Sequence, residues 1–276
     1  VKGFLIGVCA LALGGLGSGP ARAQIQDPAE GPAEDLGPQR PELARYVFLP
    51  RVDGDGVATM TYGLGLGTRD TRFAGPEGVE QHLTVRVRPT DWLTVEAAGK
   101  TLVQRGAEVR GGGGGRLLAR ALDERRAGVT VEADAGYRFD LRGDHVLGLG
   151  ATLVRHFGRV ETVAAARVEV PLTANQGARD EADVLFSAAV SAPVTDSYTQ
   201  GIELGAEDLE ALWDPEEAEG GARVFLGPTS VVWFGRDVHL RANLSGVYAP
   251  PAAGAPDTGR SPWGVLARLA IGYSFR

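Results

Sequence analysis

The sequence predicts an all-β fold, an antiparallel transmembrane β-barrel of twelve strands, and three observations carry that expectation. The last forty residues alternate with a period of two. Trp263, Val265, Ala267, Leu269, Ile271, Tyr273 and Phe275 share one face, and Gly264, Leu266, Arg268, Ala270, Gly272, Ser274 and Arg276 share the other. An apolar row with aromatics at its ends and aliphatics in its middle suits a strand whose outer face crosses hydrocarbon between two headgroup layers. Outside the N-terminus, no stretch approaches the roughly 18 to 20 consecutive apolar residues of a spanning helix. A chain of this kind can cross a membrane only as a closed barrel, which pairs its own backbone. Finally, tight and long connections alternate along the chain. A strand of a soluble sandwich alternates as well, so the whole chain has to decide between the two.

The N-terminus has the anatomy of a secretory signal: Lys2, the apolar run Phe4 to Leu16, then Ala21-Arg22-Ala23. Residues 1–23 are expected to be removed. The single cysteine, Cys9, lies inside this segment, behind an Ile6-Gly7-Val8 that matches a lipobox poorly. The mature chain would then have no disulfide and no thiol chemistry. Losing Lys2 and Arg22 but no acid takes the net charge from -7 to -9, and nucleic acid is not an expected partner. Residues 24–55 form a Pro-rich acidic lead-in, with Pro28, Pro32, Pro38 and Pro41 among Asp27, Glu30, Glu34 and Asp35. Asp53-Gly54-Asp55-Gly56 reads as a turn, since the other ligand positions of a calcium loop are missing. The barrel is expected over 56–276.

From Val57 the strand-like segments follow in order. Ala58, Met60, Tyr62, Leu64 and Leu66 form one apolar row; Val79, Gln81, Leu83, Val85 and Val87 the next; Leu93, Val95, Ala97, Gly99, Thr101 and Val103 a third. Val129, Val131, Ala133, Ala135, Tyr137 and Phe139 are backed by Thr130, Glu132, Asp134, Gly136 and Arg138. Val160, Thr162, Ala164, Ala166, Val168 and Val170 are backed by Arg159, Glu161, Arg167 and Glu169. Leu147 to Leu153, Val184 to Ala192, Tyr198 to Ala206 and Arg223 to Phe234 alternate more weakly. Val238 to Tyr248 sets an oily row against Asp237, His239, Arg241, Asn243 and Ser245.

These segments and the last strand make eleven, and the twelfth is argued from connections. Arg116 to Leu122 could equally begin a short helix running into Asp123-Glu124-Arg125-Arg126. If it is a strand, the tight turns at Pro89-Thr90-Asp91, His156-Phe157-Gly158, Pro193 to Ser197 and Phe234-Gly235-Arg236 fall at one end. The long loops at Asp70 to Gly78, Pro171 to Glu181, Asp208 to Gly221 and Ala249 to Pro262 fall at the other. Short turns on the periplasmic side, long loops outside and an even strand number are the habits of outer-membrane barrels. Asp208 to Gly221 carries six acids around Trp213, which predicts an acidic extracellular loop.

The run from Ala222 to Leu244, a Pro-rich loop, and then Leu266-Ala-Arg-Leu-Ala-Ile-Gly-Tyr-Ser-Phe275 resembles the closing strands of small proteobacterial outer-membrane β-barrel proteins of porin-like or unassigned role. The resemblance implies an architecture rather than a reaction. It also implies two partners, outer-membrane lipid and the barrel-insertion machinery, which reads an aromatic C-terminal strand. Here Tyr273 and Phe275 keep the spacing, and Arg276 follows where such barrels usually end on the aromatic residue.

No catalytic or metal constellation emerges, and no cofactor is expected. His82, His145, His156 and His239 sit on separate segments without metal-ligand spacing. A barrel hydrolase would need His82 or His239 beside Ser245 or Ser187, and no nucleophile motif surrounds either serine. Gly111 to Gly115 lacks the Lys-Ser/Thr of a phosphate loop and reads as a floppy loop; Arg142-Gly143-Asp144 reads as a turn. The inward rows carry the functional signal. Glu80, Arg86, Arg88, Glu96, Lys100, Glu132, Asp134, Arg138, Arg159, Glu161, Arg167, Glu169, Glu203, Arg241 and Arg268 are expected to line one lumen. Charge on the lipid face would cost roughly 2 to 4 kcal/mol for Arg or Lys at the midplane. A lumen of mixed sign is either a hydrated pore or a network of ion pairs that closes it. The first expectation is therefore a passive porin-like channel for small solutes in the bacterial outer membrane. The second is a closed structural or partner-binding barrel, and the third a barrel-embedded hydrolase.

Overall fold

The structure is a computed structural model that describes residues 58–68, 78–104, 109–139, 145–172, 182–207, 209, 222–250 and 261–275. The expected signal segment and lead-in, the acidic loop 208–221 apart from Leu209, and Arg142-Gly143-Asp144 lie outside the described residues. Twelve strands run in chain order: β1 (Ala58–Gly67), β2 (Gly78–Thr90), β3 (Leu93–Gln104), β4 (Arg110–Leu122), β5 (Thr130–Phe139), β6 (His145–Phe157), β7 (Val160–Pro171), β8 (Asp183–Thr195), β9 (Tyr198–Glu207), β10 (Arg223–Phe234), β11 (Val238–Tyr248) and β12 (Trp263–Phe275). Each pairs antiparallel with its neighbours in sequence, and β1 closes on β12 with Ala58 opposite Phe275 and Gly67 opposite Leu266. Closure leaves no sheet edge, so every strand finds backbone partners on both sides. No helix among the described residues is long and apolar enough to cross a membrane.

The period-two pattern maps directly onto two faces. On β12, Leu269, Ile271, Tyr273 and Phe275 are exposed outward, whereas Leu266, Arg268, Ala270 and Ser274 are buried inward. Aromatic pairs mark both ends of the outer face. Tyr248 and Trp263 stand 4.7 Å apart at the long-connection end, and Tyr273 and Phe275 4.7 Å apart at the other, as expected where amphipathic rings meet the two interfaces.

At one end the connections are short. Asp91–Trp92, Gly158–Arg159, Asp196–Ser197 and Gly235–Asp237 join their strands, with Gly158 and Gly235 at φ 61° and 70°, a backbone region that costs glycine nothing. The fifth, between β4 and β5, carries the one-turn helix α1 (Glu124–Ala127), capped by the Asp123 carboxylate accepting from Arg125 N. The register slips at the β2, β4 and β8 ends lie on this rim, where bulges commonly end a ladder.

One expectation is corrected here. Gly111 to Gly115 is not a floppy loop but the first half of β4, paired with β3 (Lys100 opposite Gly112, Gly99 opposite Gly113) and from Gly113 onward with β5. Glycine weakens a strand locally, but two flanking ladders in a closed sheet outweigh that. The run also permits close approach: a Cβ on Gly114 would lie 2.6 Å from Arg138 Cα. The strand expected from Arg116 is thus present and six residues longer. A second correction concerns Arg159, which lies exposed in the two-residue β6–β7 turn rather than on the lumen wall.

Candidate functional site

The inward rows of β2 to β7 build a continuous belt of ion pairs. Arg86 on β2 donates to Glu96 on β3 at 2.7 Å, and Glu96 also accepts from Arg116 on β4, through Nε at 3.1 Å and through Nη2. Arg116 stands 3.9 Å from Asp134 on β5. Asp134 accepts from Arg167 on β7 at 2.6 Å, and Arg167 lies 3.3 Å from Glu169. Glu169 in turn accepts from Arg138 of β5 at 2.5 Å. Across these contacts the belt runs from Arg86 to Arg138.

Glycine makes the belt possible. Residues of β5 and β7 are two strand spacings apart, roughly 9.5 Å, and β6 intervenes. β6 offers Gly148 and Gly150 at the intervening inward positions, opposite Glu169 and Arg167. A Cβ at Gly150 would run into the Asp134 carboxylate, and one at Gly148 into the Arg167 guanidinium. The side chains therefore lie flat across a bare strip of wall and meet.

Above the belt, in the half of the lumen nearer the long connections, is a cavity of about 280 Å³. Glu80 and Lys100, 3.9 Å apart, line it together with His82, Arg138 and the Gly113–Gly115 stretch, and Arg268 closes one side. His82 occupies the space that a side chain on Gly63 would need.

The β9 to β12 wall uses the same residue types differently. Arg268 donates to Asn243 Oδ1 at 2.8 Å and to Glu203 at 3.5 Å; Asn243 donates to Glu203 at 3.3 Å and to the Pro228 carbonyl at 3.2 Å; Ser245 donates to Asn243 at 2.8 Å. The Arg268 and Glu203 side chains are 2% and 0% exposed. Beside them Phe225, Val247 and Leu266 form an apolar patch, with the Arg268 guanidinium 5.7 Å from the Phe225 ring centre.

The remaining residues expected on the lumen divide by depth. Glu132 is buried 3.6 Å from Arg120, and Arg241 is buried on β11. Glu161 is buried 3.1 Å from His156 Nε2, and His156 Nδ1 lies 2.6 Å from Glu124 of α1, tying that helix to the short-turn rim. Arg88 is half-buried near the same end of β2. Arg116 and Arg120 are lumen residues that the sequence did not single out, and Asn243, on the expected polar row of β11, has a bracing role that periodicity does not show. Both arginines belong to the strand whose glycine half looks like a loop, although their spacing of four puts both on one face. Ser245 spends its hydroxyl on Asn243, and no group of three metal-ligating side chains stands together among the described residues.

No protein-family model and no curated protein matches the chain. Solved structures do. The NanC porin superposes with a TM-score of 0.56 at 13% identity, over 79% of this chain and 99% of that one. A KdgM porin in complex with disordered oligogalacturonate gives 0.54 at 9% identity over the same shares. At such identities the likeness shows the fold alone: the chain has the closed, twelve-stranded antiparallel β-barrel architecture that these porins share.

Proposed function

We propose that this protein is a passive, porin-like channel for small solutes in the bacterial outer membrane. The observation that carries the reading is the hollow above the belt, about 280 Å³ walled by charged side chains and bare glycine backbone. Eight-strand barrels are filled by their own side chains, whereas wider ones leave room for ligand or water. In this setting the outward rows contact lipid, the insertion machinery reads the β12 strand with Tyr273 and Phe275, and the long connections face outside. The groups that line the hollow are suited to hydrate and steer a solute rather than to attack one, which supports a non-enzymatic role.

Planar-bilayer recording of the refolded protein is the test, and discrete conductance steps are the expected result. Protease cutting within 208–221 on intact cells is expected from the proposed orientation; cutting only after lysis would reverse it. A closed, partner-binding barrel is the second reading, favoured by the buried brace on β9 to β12 and by the Val154, Val163 and Ala189 cluster at the short-turn end. Absence of conductance from correctly folded protein would favour it.

A further inference from the structure

The channel reading leaves the charge of the solute open. Resting on that reading, the geometry points to small oxyanions, carboxylates or phosphates, as the solute class that the cavity favours. The count of charges along the belt is nearly balanced, four arginines against three acids, and depth breaks the balance. The side chains of Arg86, Lys100, Arg116, Arg138 and Arg167 are 14 to 25% exposed, whereas those of Glu80, Glu96, Asp134 and Glu169 are only 5 to 7% exposed. Cations stand in front and carboxylates behind.

The layering has a structural cause. Asp134 lies down against Gly150, and the Arg167 guanidinium crosses Gly148; a short carboxylate so placed hugs the wall, and the longer arginine reaches over it. A solute in the cavity meets N–H groups first. Planar guanidinium forks suit oxyanions, which accept two parallel hydrogen bonds, and a cleft with low-dielectric walls focuses the field of the charges nearest its surface. A cation meets the same front as repulsion. Glu80, Glu96 and Glu169 also line the cavity and do not reverse this, because their side chains are only 5 to 7% exposed, with Lys100 beside Glu80, Arg86 and Arg116 on Glu96, and Arg138 on Glu169.

The test uses the full chain in planar bilayers under a KCl gradient. Wild type is expected to show a reversal potential on the chloride side. The Lys100→Gln/Arg138→Gln double variant should move it toward zero, and Lys100→Arg/Arg138→Lys should keep it at the wild-type value. A potassium preference, or a chloride preference that the double neutralisation leaves unchanged, overturns the inference while the channel reading stands. If folded wild type does not conduct, the channel reading falls, and calorimetry with citrate against spermidine then decides the inference alone. Saturable citrate binding that the double variant loses upholds it; no citrate binding, or tighter spermidine binding, overturns it. Heat-modifiable gel mobility, measured on every variant, confirms that each barrel is folded before its currents or heats are compared.

Discussion

The β2 to β7 wall and the β9 to β12 wall are made from the same chemistry, arginine against carboxylate, and they do different things. On the first wall the arginines reach into a cavity and are shared between acids; on the second, Arg268 is 2% exposed and locked among Glu203, Asn243 and the face of Phe225. Depth decides the role. A buried pair taken apart leaves a charge without water and short of its strongest partner, while a partly hydrated arginine contributes less to stability and, in the channel proposed above, faces the solute. The inward rows therefore do not form one uniform lining of the barrel interior.

The sharpest way to break this comparison is Arg268→Leu, which leaves Glu203 buried without its guanidinium. A loss on the order of 3 to 5 kcal/mol is expected, read as a lower urea midpoint for refolding into vesicles. Arg268→Leu combined with Glu203→Leu should recover much of it; if the double variant is no better than the single, the brace is not acting as a pair. On the outer face of the same strand, Leu269→Arg would, in the outer membrane proposed above, place a charge in hydrocarbon and should cost about 2 to 4 kcal/mol. Equal stability of Leu269→Arg and wild type in the same assay would contradict the facing assigned to β12.

Gly150→Leu tests the belt by filling its gap. The new side chain must displace the Asp134 carboxylate, and an overpacking cost of about 1 to 3 kcal/mol is expected, together with a smaller conductance. A variant that conducts like wild type would show that the crossing of β6 is unimportant to the lumen. The smallest effect belongs to Arg138→Gln. Its side chain is 25% exposed and its partner Glu169 keeps Arg167, so stability should change by no more than about 1 kcal/mol. The contrast between Arg138→Gln and Arg268→Leu, measured side by side, is the direct comparison of the two walls.

Much of the architecture is legible in the sequence alone. Alternation in β1, β2, β3, β5, β7, β11 and β12 is strict enough to assign each side chain to a face, and the parity of tight and long connections favoured a strand over a short helix at Arg116. The glycine run was misread for a physical reason: local propensity speaks against a strand, and only the two flanking ladders overcome it. Arg159 was misplaced because parity continues through a turn although the wall does not.

The sequence by itself determined the facing of the alternating strands and the separation of oily from charged rows, because side-chain direction in a strand is a local property that repeats every two residues. Tertiary structure alone decided which charges meet and how deep they lie. The contact of Asp134 with Arg167 depends on two glycines in a third strand, and the burial of Arg268 depends on residues 40 and more positions away on β9 and β10. Such distances along the chain carry no periodic signal; they become neighbours only when the register around the closed barrel sets them side by side.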